Sequence, residues 1–270
     1  VSRSDGGLCK AKTMCSQFSA DGVVWSEPTA TIYADNLLVG QGHAKPGVVA
    51  VPGAFLSSQT LELCPPGVQM NLAQSCGTPG TPSYRERQSD DVYGSGMCLM
   101  ISIDGVHWSL LSEKPVMDHT ACTNGFDSQN LAFYDSRRSC YVEYHRDSIY
   151  PDGVRFRQIM TCTSKDYRRW TKQQLLDYGD APLEHLYTNA VNPYYRAPHI
   201  YMGCPKRFVP ERSLVGCTAG GMSDGLFMTS RDGLHFKRWE EAFRRPGLQR
   251  CRWENRNNMT AKGILETEND

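Results

Sequence analysis

The sequence lacks any run of 18 apolar residues, so it contains no candidate for a membrane-spanning helix. It also lacks a block of positive charge: 29 Lys and Arg balance 29 Asp and Glu, interspersed along 270 residues. A nucleic-acid binder shows a clustered positive face, and a membrane-surface protein a polybasic patch. Neither nucleic-acid nor membrane partners are therefore expected. Metal motifs are missing as well: there is no CxxC pair, no HExxH and no Cys/His cluster at zinc spacing. Phosphate loops, a nucleophile elbow and dinucleotide fingerprints are absent, and no cofactor is expected. Helical signals are scarce, reduced to one or two turns at 171–176 and 239–244.

What is present excludes wholesale disorder: 40% of residues are hydrophobic and 10% aromatic. The length suits one large all-β domain, and 24 Gly with 15 Pro make the chain rich in turns. Lys is sparse beside Arg, 9 against 20. Arg forks suit carboxylates or sugar hydroxyls, although genomic base composition produces the same excess. The 11 cysteines are spread from Cys9 to Cys251. Their spacing suits scattered core thiols or local pairs at Cys9–Cys15, Cys64–Cys76 and Cys204–Cys217. The number is odd, and it slightly favours a secreted or periplasmic setting. Asn258-Met259-Thr260 is the single N-x-S/T sequon. The chain opens at Val1 and ends in the strand-like 263–267; we read it as a fragment or processed chain cut at both ends.

Self-similarity is the strongest signal. Four segments share the spacing S-x-D-[G/Y]-x-x-[W/F]: Ser19 to Trp25, Ser102 to Trp108, Ser164 to Trp170 and Ser230 to Phe236. Asp21, Asp104, Asp166 and Asp232 follow one another at steps of 83, 62 and 66 residues. Asp-Gly is a favoured hairpin turn, because Gly supplies a positive φ and Asp bonds nearby amides. Strand-like runs precede the turns at 97–101, 157–162 and 225–229. A further hairpin is read at 131–134 and 140–144, and another strand at 197–202. A repeat of 60–65 residues accommodates one four-stranded blade. The spacing predicts an all-β propeller, a single domain over 1–270 with about four blades represented. The longer first step places a Gly/Pro-rich, partly irregular insertion at about 40–90, peripheral to the blade core. The four Asp-box-like turns are read as structural, so function has to reside elsewhere.

Several other segments resemble the glycosyl-hydrolase-like five-bladed propeller proteins common in planctomycetes. They are Phe126-Asp127-Ser128-Gln129-Asn130, Glu184-His185-Leu186-Tyr187-Thr188-Asn189 and Tyr195-Arg196-Ala197-Pro198-His199-Ile200-Tyr201. Arg207–Arg212, Ser223–Met228 and Glu241–Leu248 belong with them. The match covers about 95–267 and is thin over 40–90. Those proteins look like distant relatives of invertase- and arabinanase-type glycoside hydrolases. The resemblance implies a class rather than a reaction, with Asp, Asp and Glu in chain order at one end of a central channel. Carried over, these are Asp35 in Ala34-Asp35-Asn36, Asp127, and Glu184. Leu37 departs from the family pattern beside Asp35. Glycoside cleavage needs one carboxyl to protonate the leaving oxygen and another to attack or activate water. Glu184 is assigned as general acid, Asp127 as the group orienting substrate or tuning the acid, and Asp35 as base or nucleophile.

Each assignment has a plain structural alternative. Asp35 suits a turn cap, Asp127 an Asx-turn, and Glu184 an exposed loop. Tyr187, Asn189, Arg196 and His199 are candidate substrate-binding residues, with His199 equally at home as a core histidine. Arg256 and Asn257 join them in the polar run 254–258, with Trp253, Tyr187 or Tyr195 as stacking platforms. Three functions remain open. The first is a glycoside hydrolase. The second is a non-catalytic carbohydrate-binding or interaction propeller, favoured by the divergence near Asp35. The third is a sialidase-like enzyme, which needs three Arg around one carboxylate and a Tyr nucleophile. A monomer with a carbohydrate ligand is expected.

Overall fold

The computed structural model describes residues 129–213 and 220–249 continuously. It further describes strands and single positions between 2 and 118, and residues 215, 253, 258–260 and 264. The described chain is built from β-strands. Leu131–Asp135 and Cys140–Ile149 pair antiparallel around the 136–139 turn, as the hairpin reading requires. Asp135 sets that turn: its Oδ1 accepts the amides of Arg137 at 3.0 Å and Arg138 at 3.3 Å. Phe156–Ser164 then pairs with Cys140–Ile149 along its whole length, and Gln174–Leu175 completes a four-stranded meander.

The next stretch looks like two interleaved sheets but is one bent blade. Gly203 faces Met228, Lys206 faces Gly225, and Val209 faces Met222. Each three-residue step along one strand is matched by three steps back along the other, so the register never breaks. The bend falls at Cys204-Pro205 and Leu226-Phe227. Pro205 has no N–H to give a ladder, but its carbonyl accepts from Leu226 N at 2.9 Å, which fastens the bend. The blade therefore consists of 185–194, 197–209, 222–230 and 236–238, in up-and-down order.

Both blades place their Asp turn between the third and fourth strands, with matching hydrogen bonds. Asp166 Oδ1 accepts from Arg168 N and Arg169 N at 2.9 and 2.8 Å. Asp232 Oδ1 accepts from Leu234 N and His235 N at 2.9 Å each. Ser164 and Ser230 donate their hydroxyls to these carboxylates. The two earlier motifs also lie between antiparallel neighbours, Lys12–Ser16 with Thr29–Ala30 and Gly96–Ser102 with His107–Leu110. Asp21 and Asp104 themselves lie outside the described residues. Repeated four-stranded meanders carrying one turn at one position make this an all-β fold of propeller type; among the described residues no sheet closes on itself.

Amide bonds from Arg169 and Arg168 hold the Asp166 carboxyl well below its usual range. At Asp232 partial burial opposes the shift, but the Leu234 and His235 bonds outweigh it and lower that group too. The ionised forms are favoured by folding, so their stabilisation is full above the ordinary carboxylate range. It is lost as pH falls toward the lower folded values. The double variant Asp166→Asn/Asp232→Asn should therefore have a Tm deficit at pH 6 that narrows as pH drops to 2. A deficit that is constant with pH would contradict this.

Gly233 is fixed by its neighbours rather than by its turn alone. Its φ is +78°, and Tyr167 occupies the same turn position at φ +62°. Tyr167 bears that conformation with its ring buried between Tyr141 and Trp170, at centroid distances of 4.6 and 5.4 Å. At Gly233 the preceding blade intrudes: Tyr144 Oη donates to Gly233 O at 2.8 Å, and an added Cβ would stand 2.7 Å from that oxygen. Gly233→Ala should cost roughly 2–3 kcal/mol, combining left-handed strain with overpacking. Urea denaturation measures it, and a loss below about 0.5 kcal/mol, the scale of an ordinary surface change, would refute the docking account.

The core lies between the two blades. Val142, Tyr144, Ile159, Leu176, Leu186, Val191, Tyr201, Leu226, Met228 and Phe236 form one buried cluster. The opposite face of the first blade packs Ala132, Tyr141, Cys162 and Tyr167 with Met117. Two expectations change, the helical turns and one cysteine pair. The helical turns at 171–176 and 239–244 are absent: Gln174–Leu175 is a strand, and Arg244 exchanges backbone bonds with Gly225 at 2.9 and 3.0 Å. Sheet pairing satisfies backbone groups there that local propensity would have coiled. Within the span read as an insertion, Gln69–Ser75 is a regular strand paired with the whole of Gly96–Ser102; the rest of 41–95 lies outside the described residues. Cys204 is a free thiol, so it forms no Cys204–Cys217 bridge.

Candidate functional site

In an up-and-down meander successive turns alternate between the two ends. The first and third turns of each blade share one end, and this is where Asp166 and Asp232 lie. The second turn and the entry to the first strand share the other. Glu184 immediately precedes His185, the start of the first strand of its blade, and so stands toward the end opposite the Asp turns. Arg196 sits in the first turn of the same blade, and His199 just beyond it. Two short strands, His185–Leu186 and Asn192–Tyr194, with Ala190 at φ +46° between them, separate Glu184 from Arg196 and His199. Both are exposed, and Arg196 lies over the Tyr195 ring at 5.4 Å. The structure does not bring them together with Glu184.

Around Glu184 it assembles a chain of charges. Glu184 Oε1 accepts from Arg207 Nη1 at 2.9 Å, and Oε2 from Arg238 Nη1 at 2.5 Å. Arg207 grips Asp224 with both arms of its fork, at 2.9 and 2.8 Å. Arg212 reaches the same carboxylate at 3.3 Å. The order is Arg238, Glu184, Arg207, Asp224, Arg212. Burial works against the Arg207 charge, but Asp224 and Glu184 outweigh it and hold its pKa above the ordinary value. The segments 184–189, 207–212 and 223–228, all carriers of the family resemblance, meet in this run of charges because their strands are neighbours.

Glu184 also lines a cavity of about 290 Å³ at the junction of the two blades. Leu175, Leu176, Pro182, Leu183 and Leu186 give it an apolar wall; Gln158, Asp177, Tyr178, Glu184 and Arg238 give it polar edges. Gln158 Nε2 donates to Glu184 O at 2.6 Å and fixes the loop that carries the carboxylate. Sequence reasoning missed Arg207, Arg238, Asp224 and Tyr178. The first and third were visible inside resemblance segments, but their pairing is a property of strand register. Tyr178 and Arg238 carried no signal.

Tyr187 is half-buried with three cations over its ring: Arg157 at 4.8 Å, Lys206 at 4.9 Å and Arg146 at 5.1 Å. Its neighbour His185 stacks on Phe156, and burial followed by the Arg157 charge lowers its pKa. Asn189 is buried and bridges the blades. Its Nδ2 donates to Gln129 O and Tyr144 O at 3.3 and 3.4 Å, and its Oδ1 accepts from Val191 N at 3.1 Å. Those bonds occupy the amide group with the fold rather than a ligand. Asp35, Asp127, Arg256 and Asn257 lie outside the described residues.

No protein-family model matches the chain, and no curated protein matches it. Solved structures do. A structure of a BT0996 RGII complex aligns at a TM-score of 0.52 and 14% identity, covering 86% of this chain and 65% of that one. A structure named "Glycoside hydrolase" aligns at 0.45 and 14%, over 66% of this chain and 50% of the other. A GH32 β-fructofuranosidase of Bombyx mori aligns at 0.43 and 11%, over 66% and 35%. Structures named as glycoside hydrolases are thus among those with which the chain aligns. At such identities the likeness is one of fold. The chain spans half to two-thirds of the length of the first two.

Proposed function

We propose that the chain is a glycoside hydrolase-like protein that cleaves a glycosidic bond with a carboxylate pair. Glu184 is the general acid, Asp127 orients substrate or tunes the acid, and Asp35 is the base or nucleophile. The supporting observation is the position of Glu184: a carboxylate at the head of a first strand, on the wall of an open cavity, at the end away from the structural Asp turns. The fold shared with the BT0996 complex adds to it. Because both Glu184 oxygens accept from guanidinium groups, substrate binding has to free one of them from Arg207 or Arg238, and that oxygen has to take up a proton from solvent, before Glu184 can protonate the leaving group. A panel of aryl glycosides tests the reading: the wild type should hydrolyse at least one, and Glu184→Gln should lose most of that turnover.

The same two arginine contacts favour a second reading, a non-catalytic carbohydrate-binding propeller in which Glu184 is a fixed structural anion. Under it the protein binds sugars, the whole panel stays intact, and Glu184→Gln changes stability alone.

A further inference from the structure

Three cations stand around one ring where the two blades meet. Arg157 Cζ lies 4.8 Å from the centre of the Tyr187 ring, Lys206 Nζ 4.9 Å and Arg146 Cζ 5.1 Å. A ring has two faces, so at least two of these charges share one. Strand register gathers them. Ser148 faces Arg157 and Arg146 faces Ile159, which makes Arg146 and Arg157 diagonal neighbours on one face of their strand pair. Lys206 arrives from the other blade, where its carbonyl accepts from Tyr187 N at 2.8 Å. Like charges this close repel, the more so away from water, and an anion set among them relieves the repulsion.

Arg157 is the member that meets solvent. Arg146 and Lys206 are buried and have contacts of their own, so they act as fixed charges. Arg157 is half-buried: its Nε is enclosed, its terminal nitrogens reach solvent, and among the described residues its side chain makes no hydrogen bond or ion pair. The Glu184 carboxylate does not serve it, being held by Arg207 and Arg238. Burial and then the Arg157 charge keep the His185 pKa below its ordinary value against the opposing charge of Glu211. An arginine fork matches the two oxygens of a carboxylate. Half-buried rings adjoin it: Phe156 stacks on His185 at 5.1 Å, and Phe208 stands 6.1 Å from His185 and 5.9 Å from Tyr187. Apolar rings beside a placed charge suit a sugar that carries an acid group rather than a bare anion. Resting on the carbohydrate reading above, we propose that the cluster around Tyr187 binds an acidic sugar, a uronate, with its carboxylate in the terminal fork of Arg157 and with Lys206 and Arg146 as standing positive charges.

The test follows binding of D-glucuronate and D-galacturonate to the full chain by ligand-observed NMR. The methyl ester of each, which keeps the shape and loses the charge, and inorganic sulfate are the controls. At least one uronate should bind, about tenfold or more tighter than its ester. Arg157→Gln should weaken that uronate about 10–100-fold, the worth of hydrogen bonds to a charged group, and leave the ester where it was. Arg157→Lys should recover part of the loss, as a point charge without the fork. The Tm of Arg157→Gln should stay level or rise, because one of three crowded like charges has gone. A fall in Tm with equal losses for acid and ester would mark a structural arginine and overturn the proposal. So would unchanged affinity in Arg157→Gln, an ester that binds as tightly as its acid, or failure of both uronates to bind. Sulfate that displaces the uronate at equal concentration would mark a plain anion site and overturn it too. Uronate binding with no aryl glycoside cleaved removes the catalytic reading and leaves this site standing. Cleavage of neutral and uronate aryl glycosides at the same kcat/KM does the reverse.

Discussion

Arg207→Ala should destabilise the protein by about 3 kcal/mol, the lower end of the cost of breaking a buried ion pair. Arg207 is the centre of the run of charges: among the described residues it alone touches both Glu184 and Asp224, and its side chain is 8% exposed. Removing it leaves the Asp224 carboxylate, 4% exposed, with Arg212 as its remaining guanidinium at 3.3 Å. Glu184 retains Arg238, which is why the expected cost falls at the low end of the range. Arg207→Lys should recover only part of it, since a point charge cannot reproduce the bidentate grip on Asp224. In a double-mutant cycle, Arg207→Ala with Asp224→Ala should cost less than the sum of the two, because the stranded carboxylate is gone. Urea denaturation at neutral pH measures all of these. A loss under about 1 kcal/mol for Arg207→Ala would place the network among ordinary surface pairs.

The largest kinetic effect is expected at Glu184. Glu184→Gln keeps the side-chain shape and the cavity wall but has no proton to give. General acid catalysis contributes about 10²–10⁴-fold, and kcat on an unactivated glycoside should fall by that factor. The amide also gives up the two charge-assisted contacts with Arg207 and Arg238, so a stability loss will accompany the kinetic one. The Arg207→Lys variant separates the two effects. It weakens the same network while leaving the Glu184 carboxyl intact, and should keep far more turnover than Glu184→Gln at a comparable Tm.

Much of the fold was legible because it is written in local chemistry. The spacing of Ser164, Asp166 and Trp170, repeated at Ser230, Asp232 and Phe236, specifies a turn that closes on its own amides and needs no tertiary information. The 131–144 hairpin was readable for the same reason. The bend at Cys204-Pro205 was not, since Pro205 alone does not say that two short ladders share one register. Nor were the coils at 171–176 and 239–244 correctly placed, because sheet partners remote in sequence decided them. The site was legible only in part. Glu184 and Arg207 each stood in a resemblance segment, but the contact between them depends on the alignment of 185–186 with 207–208 across a strand pair. Asn189 looked like a sugar ligand and serves as an inter-blade bridge, because the carbonyls of Gln129 and Tyr144 arrive from another blade. Arg196 and His199 were close to Glu184 in the sequence, but the turn at 195–196 follows the strand Asn192–Tyr194, whereas Glu184 precedes the strand His185–Leu186.

The most direct measurement compares wild type and Glu184→Gln on two glycosides of the same sugar. One carries a nitrophenyl leaving group that departs without a proton, and the other a poor alkyl leaving group. If Glu184 delivers the proton, the variant should lose about 10²–10⁴-fold on the alkyl glycoside and retain most of its turnover on the nitrophenyl one. Equal losses on both, or no loss on either, would contradict the assignment of Glu184 as the acid.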